Sequence, residues 1–169
     1  MRIFKLFLLT SFAVASFFLF TAELYTRESE LALTPTIAVK KAKKKTKREI
    51  IVDTAYSLLG IDYWPGGEDS EYGYDCSGFT QYAYLKAGIN IPRRAIDQYK
   101  ACTKMEEKAL KKGDLVFFNT RGYGINHVGI YIGNGRFIHA PGIGKVIAEE
   151  SMNRNYWRVR YMAGGRFIK

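Results

Sequence analysis

Apolar positions fall into three regimes along the chain, and each predicts a different kind of segment. Residues 6–20 form a nearly unbroken apolar run without charge. From residue 50 the apolar positions recur at helical spacing. Ile50, Ile51, Ala55, Leu58 and Leu59 share one face, and Gly60 stops the helix. Phe79, Tyr82, Ala83 and Leu85 mark a second helix that opens near Cys76. Asp75 or Ser77 can cap its free N–H groups, and Gly88, Asn90 and Pro92 end it. Residues 95–101 read as a short helix with Cys102 at its end. Beyond Asp114 the period changes to that of strands, at 115–118, 128–132, 137–139, 146–149 and 159–167. Gly133-Asn134-Gly135 is a hairpin signal between two of them. Helices followed by strands give an α+β class, with five or six mostly antiparallel strands packed on the helix that starts at Cys76.

The first run sets the domain plan. Arg2 and Lys5 precede it as a positive n-region, so residues 1–22 read as an export signal or a membrane anchor. The run is long for a signal core and short for a membrane span, a length it just reaches with Thr21 and Ala22 added. Ala13-Val14-Ala15 is a small-x-small site, but a cut there would expose Phe17, Phe18, Leu19 and Phe20. No cysteine precedes Cys76, which excludes lipidation on cysteine. Residues 23–48 change character and end in Lys40, Lys41, Lys43, Lys44, Lys45, Lys47 and Arg48, a basic run at the end of a flexible linker. Residues 1–48 carry 10 basic and 3 acidic side chains, against 16 and 13 in residues 49–169. The net charge of +10 therefore belongs mainly to the tail. Such a tail, Lys40 to Arg48, suits anionic lipid headgroups or wall polymers, or serves as a solvated spacer. An export signal just upstream argues against nucleic acid.

The chemistry-bearing residues are few. The chain has 2 cysteines and 2 histidines. Cys76 falls where a helix macrodipole is most positive, which favours thiolate and predicts a lowered pKa. Position alone leaves a second reading open, an inert buried cysteine. A cysteine followed by distant histidines is the order of a nucleophile, a base and an orienting group, with His127 opening a strand against the Cys76 helix. A Cys76–Cys102 disulfide would consume that nucleophile. A zinc site from Cys76, Cys102, His127 and His139 lacks the short ligand spacing of structural zinc, so neither metal nor cofactor is expected.

Tyr63-Trp64-Pro65-Gly66-Gly67, Asp75-Cys76-Ser77-Gly78, Pro92-Arg93 with Gln98, Gly113-Asp114, His127-Val128-Gly129-Ile130-Tyr131 and His139-Ala140 occur in that order. Together they resemble the NlpC family of bacterial cell-wall peptidases, from about Glu49 to Lys169. The closing Ser151-Met152-Asn153, Tyr156-Trp157 and Arg160-Tyr161 is most similar to small murein endopeptidases of Gram-negative envelopes, although Ala163-Gly164-Gly165-Arg166 departs from the family's usual Ala-Arg-Arg ending. The resemblance implies a papain-like fold. It also implies a Cys76 nucleophile, His127 as general base and acid, and His139 orienting the His127 ring. Tyr63 would support the oxyanion through its hydroxyl, and Asp75 and Ser77 would help hold substrate. Arg93 and Gln98 are expected to brace the helix. Ladder arithmetic alone does not bring the histidines together: a two-residue turn puts His139 opposite Ile130, on the other face from His127, and a three-residue loop restores the face but leaves an offset of about four residues. A bulge or strong twist must close the gap.

The implied substrate is a peptidoglycan stem peptide, cut through a thioester acyl-enzyme in the cell envelope or periplasm. The first expectation for the bond is a D-Ala–diaminopimelate cross-link. Cleavage between γ-D-glutamate and diaminopimelate, or an amidase reaction, is the alternative. A non-catalytic envelope-binding protein is the remaining class, and the full Cys76, His127 and His139 set argues against it.

Overall fold

The computed structural model describes residues 44–168. The signal or anchor segment and most of the linker lie outside them. Helix α1 spans Lys47–Ser57 and starts at a reciprocal cap: the Thr46 hydroxyl accepts from the Glu49 N–H, and the Glu49 carboxylate accepts from the Thr46 N–H. Lys47 and Arg48 thus belong to a helix rather than to the linker. Lys45 pairs with Asp53 and Arg48 with Asp114, which leaves Lys44 and Lys47 of the described basic run facing water. Ile51, Ala55 and Leu58 are buried as the spacing predicts, but Leu59 is exposed, because the helix stops at Ser57 and the chain turns at Gly60.

A two-stranded ribbon, β1 (Glu68–Asp69) and β2 (Gly73–Tyr74), follows in the Gly- and acid-rich stretch after α1. Helix α2 then runs Cys76–Lys86. Its buried set is Ser77, Gly78, Phe79, Thr80, Ala83 and Tyr84, whereas Leu85 is exposed. α2 is therefore enclosed on more than one apolar stripe. The Tyr84 hydroxyl donates to the Gly113 carbonyl, so a polar tip lets this aromatic replace Leu85 in the core. Helix α3 spans Ala95–Ala101.

The main sheet has six antiparallel strands in the order β3-β8-β4-β5-β6-β7. They are β3 (Thr103–Met105), β4 (Leu115–Phe118), β5 (His127–Gly133), β6 (Arg136–His139), β7 (Ala148–Ser151) and β8 (Tyr161–Arg166). β3 has no apolar alternation and so carries no strand signal in the sequence. β7 lies two residues beyond the expected position, because Val146 instead makes an isolated bridge with Asp62. Val159 is not in a strand: it caps a short helix, α4 (Asn155–Arg158), and is exposed.

All four β4 residues are fully buried because both sheet faces are covered. Leu115 and Phe117 join Val128, Ile130 and Ile138 in the core beneath α1 and α2. Val116 and Phe118 join Phe137, Met152 and Trp157 in a second core under α4. The Gly113-Asp114 turn ties these layers to the ends of the domain. Asp114 is fully buried and accepts from Arg48, from Arg166 and from the Lys111 N–H.

Candidate active site

Asp75 is the N-cap of α2, accepting from the Gly78 N–H at 2.7 Å, and this sets Cys76 in the first turn. The loop before it is held by backbone contact: Asp75 N–H donates to the Gly67 carbonyl. A Cβ on Gly78 would sit 2.1 Å from that same Gly67 oxygen, so only glycine lets the loop lie on the helix start. Arg93 then clamps the turn, donating to both Asp75 oxygens at 2.9 and 2.7 Å, to the Ser77 hydroxyl and to Glu68. Gln98 donates to the Ser77 and Pro92 carbonyls and accepts from Thr80. Both residues therefore brace the helix. Burial would raise the Asp75 carboxyl, but Arg93, the Gly78 N–H and Ser77 outweigh it and hold it below the usual range.

The thiol does not behave as the helix-terminus argument predicts. Burial pushes Cys76 up to about 11, and the Asp75 charge adds to this. The N–H groups of Val128 and Ser77 favour thiolate but do not reverse the balance. That the Val128 N–H acts on the sulfur places Cys76 beside the start of β5, where Val128 follows His127 in sequence. Cys76 and Cys102 are both free thiols. Cys102 is buried at the end of α3, its sulfur 3.3 Å from the Tyr99 carbonyl.

The two histidines meet. His127 Nε2 and His139 Nδ1 are 2.7 Å apart, with their rings perpendicular. The hairpin at Gly133-Asn134-Gly135, all at positive φ, shifts the β5–β6 register between Tyr131 and Gly133. Ile130 then faces Ile138, which sets His139 across from Gly129 on the face of His127. Gly129 supplies the remaining space: a Cβ there would meet Phe137 at 2.7 Å and the Ile138 carbonyl at 2.9 Å. Two histidines offset by two positions thus meet over a residue without a side chain. Both rings lie on the second-core face, with Trp157 stacked on His127 and edge-on to His139. Trp157 thus touches both rings, although the sequence places it only in a motif.

Burial lowers His127 to about 4, with Arg121 adding to the effect. Burial also carries His139 well below its ordinary value, followed by the charges of His127 and Lys145. At neutral pH the site therefore holds a neutral thiol and two neutral imidazoles.

An open groove of about 800 Å³ exposes Cys76. Tyr63, Asp75 and Ser77 line it together with Arg93, Arg94 and Arg121. The Tyr63 hydroxyl is pushed up by burial and by the nearby Cys76 and Asp75. Asp75 and Ser77 are also engaged with Arg93, as described. Arg94 and Arg121 had no signal in the sequence, since neither stands in a motif. Among the described residues no group of three or more His, Cys, Asp or Glu is arranged to hold a metal ion.

A cysteine in the first turn of a helix, docked on an antiparallel sheet that carries the histidines, defines a papain-like α+β domain. The NlpC/P60 family model matches residues 60–166, and the chain belongs to that family. It is 38% identical over 132 residues to the murein DD-endopeptidase MepH of Escherichia coli, a match covering 76% of this chain and 49% of that protein. It is 41% identical over 120 residues to the bifunctional muramidase/DL-endopeptidase CwlT of Bacillus subtilis, covering 70% and 36%. The NlpC/p60 domain of the peptidoglycan hydrolase SagA superposes with a TM-score of 0.62 at 36% identity, covering 71% of this chain and 98% of that one. The chain thus spans about half or less of the length of these curated relatives.

Proposed function

We propose that the protein is a cysteine peptidase that hydrolyses peptide bonds of peptidoglycan, with the D-Ala–diaminopimelate cross-link as its bond. The observation that carries this reading is the pairing of His127 with His139 at the strand end where Val128 meets the Cys76 sulfur. For His127 Nδ1 to accept a proton, its Nε2–H must donate to His139 Nδ1. His139 then fixes both the tautomer and the ring orientation. In this reaction Cys76 loses its proton to His127 as the sulfur attacks the peptide carbonyl. The proton passes to the leaving amine, and water resolves the thioester. Both groups begin neutral, so the proton moves during attack rather than before it. The Cys76 N–H and the Tyr63 hydroxyl support the oxyanion, and Asp75 and Ser77 form the wall along which substrate lies.

The names of the relatives support the substrate class, with the MepH match favouring the cross-link and the CwlT match favouring a DL bond as the second reading. Export to the envelope, by cleaved signal or retained anchor, and contact of the basic tail with anionic lipid or wall polymer complete the proposal. Among the described residues no helix is long and apolar enough to cross a membrane.

Incubating the full chain and its Cys76→Ala variant with purified peptidoglycan, then weighing the fragments by mass spectrometry, tests the reading. Conversion of cross-linked dimers to monomers by the wild type alone is the expected result. Release of dipeptides moves the bond to the DL class. Identical digests of the two proteins overturn the catalytic reading.

A further inference from the structure

The groove beside Cys76 carries more positive charge than the helix clamp uses. Of its three arginines, Arg93 is fully engaged by Asp75 and Glu68, which also line the groove. Arg94 and Arg121 line the same groove and are exposed, and their side chains make no hydrogen bond or ion pair among the described residues. Arg94 stands at the N-cap of α3 with its side chain free of any capping role. Arg121 stands in the loop between β4 and β5, next to Gly122, and its charge reaches both Tyr63 and His127. The acidic groups of the groove are thus consumed by one arginine, and the two unpartnered cations belong to separate elements.

From this arrangement we infer that Arg94 and Arg121 are specificity residues that select a peptide bearing a free carboxylate next to the scissile bond. The inference rests on the peptidase reading for the word scissile, but not for binding. A guanidinium on an exposed wall adds little to stability. It presents a planar fork suited to a carboxylate, and a desolvating ligand strengthens the pair. Two such forks in the groove that holds the thiol would pair with an anionic residue there, while a carboxamide in the same place would leave them unmatched.

The experiment uses the full chain with Cys76→Ala, so that substrate is bound and not turned over. Two synthetic stem peptides serve as probes, identical except that one carries a free side-position carboxylate and the other the carboxamide. Calorimetric titration is expected to show the carboxylate form bound at least about fivefold more tightly, the scale of one or two charge-assisted contacts. That preference should shrink as salt rises. Arg94→Gln and Arg121→Gln should each reduce the ratio, and the double variant should bring it close to one. Arg121→Lys should restore part of it. Lys108→Gln, on the 3₁₀ turn at Glu107–Ala109, should leave the ratio unchanged. Equal binding of both peptides by the parent protein, or a ratio that survives the double variant, overturns the inference. A preference that persists in a protein with no hydrolytic activity upholds the inference and sinks the peptidase reading instead.

Discussion

At the scale of single residues the site depends on where two protons sit. His127 is lowered to about 4 from an ordinary 6.5 by burial. It stays neutral, and able to accept a proton, well below pH 6. The acidic limb of kcat/KM on a peptidoglycan peptide should therefore fall nearer pH 4 to 5 than 6.5, and a limb at 6.5 would mean that substrate access rehydrates the ring. In the proposed reaction His139 accepts from His127. His139→Asn retains an acceptor and should keep activity within about tenfold, whereas His139→Ala should lose about a hundredfold or more. Residue type and order mark Cys76 and His127 as candidates, and the resemblance alone assigns His139 to the His127 ring. The direction of the thiol shift was not legible, because a helix terminus is visible in sequence and the burial that outweighs it is not.

Among the elements, the β5–β6 hairpin decides whether the histidines meet. Gly129→Ala would press a methyl group against Phe137 and the Ile138 carbonyl. Thermal melts should show a loss of about 1–3 kcal/mol, the range of an overpacked core. Activity should fall further than stability, because separating β5 from β6 separates His127 from His139. The hairpin glycines and the four-residue run at β4 were readable, since turn chemistry and apolar density are local properties. Three features were hidden: β3, the β1–β2 ribbon and the second core under α4. β3 and the ribbon are two- or three-residue strands specified by their partners rather than by their own pattern. The second core depends on Trp157, whose neighbours come from β4, β5 and β6.

For the whole molecule, titration and the Asp114 clasp govern stability. Folding lowers His127 and His139, so the unfolded chain binds more protons below 6.5, and stability should fall as pH drops from about 6.5 toward 4. Folding raises Cys76 from 9.0 to about 11, so stability should also fall as pH rises through that interval. Denaturant midpoints measured across pH should form a plateau between these limbs, and Cys76→Ala should delay the start of the alkaline one from about 9 to about 10, where the raised Tyr74, Tyr84 and Tyr161 hydroxyls begin to contribute. Asp114→Ala would leave Arg48 and Arg166 facing a buried space with no counter-charge. The expected cost is roughly 3–5 kcal/mol, measurable by urea unfolding.

Asp114 receives Arg48 from the first turn of α1 and Arg166 from the last residue of β8, so one carboxylate fastens the two margins of the domain. This fixes where the gene can be trimmed for expression. A fragment begun at Glu49 keeps every motif yet discards Thr46 and Arg48. Its first helix would open without a cap, and its clasp would be half made. Fragments begun at or before Lys44 retain both.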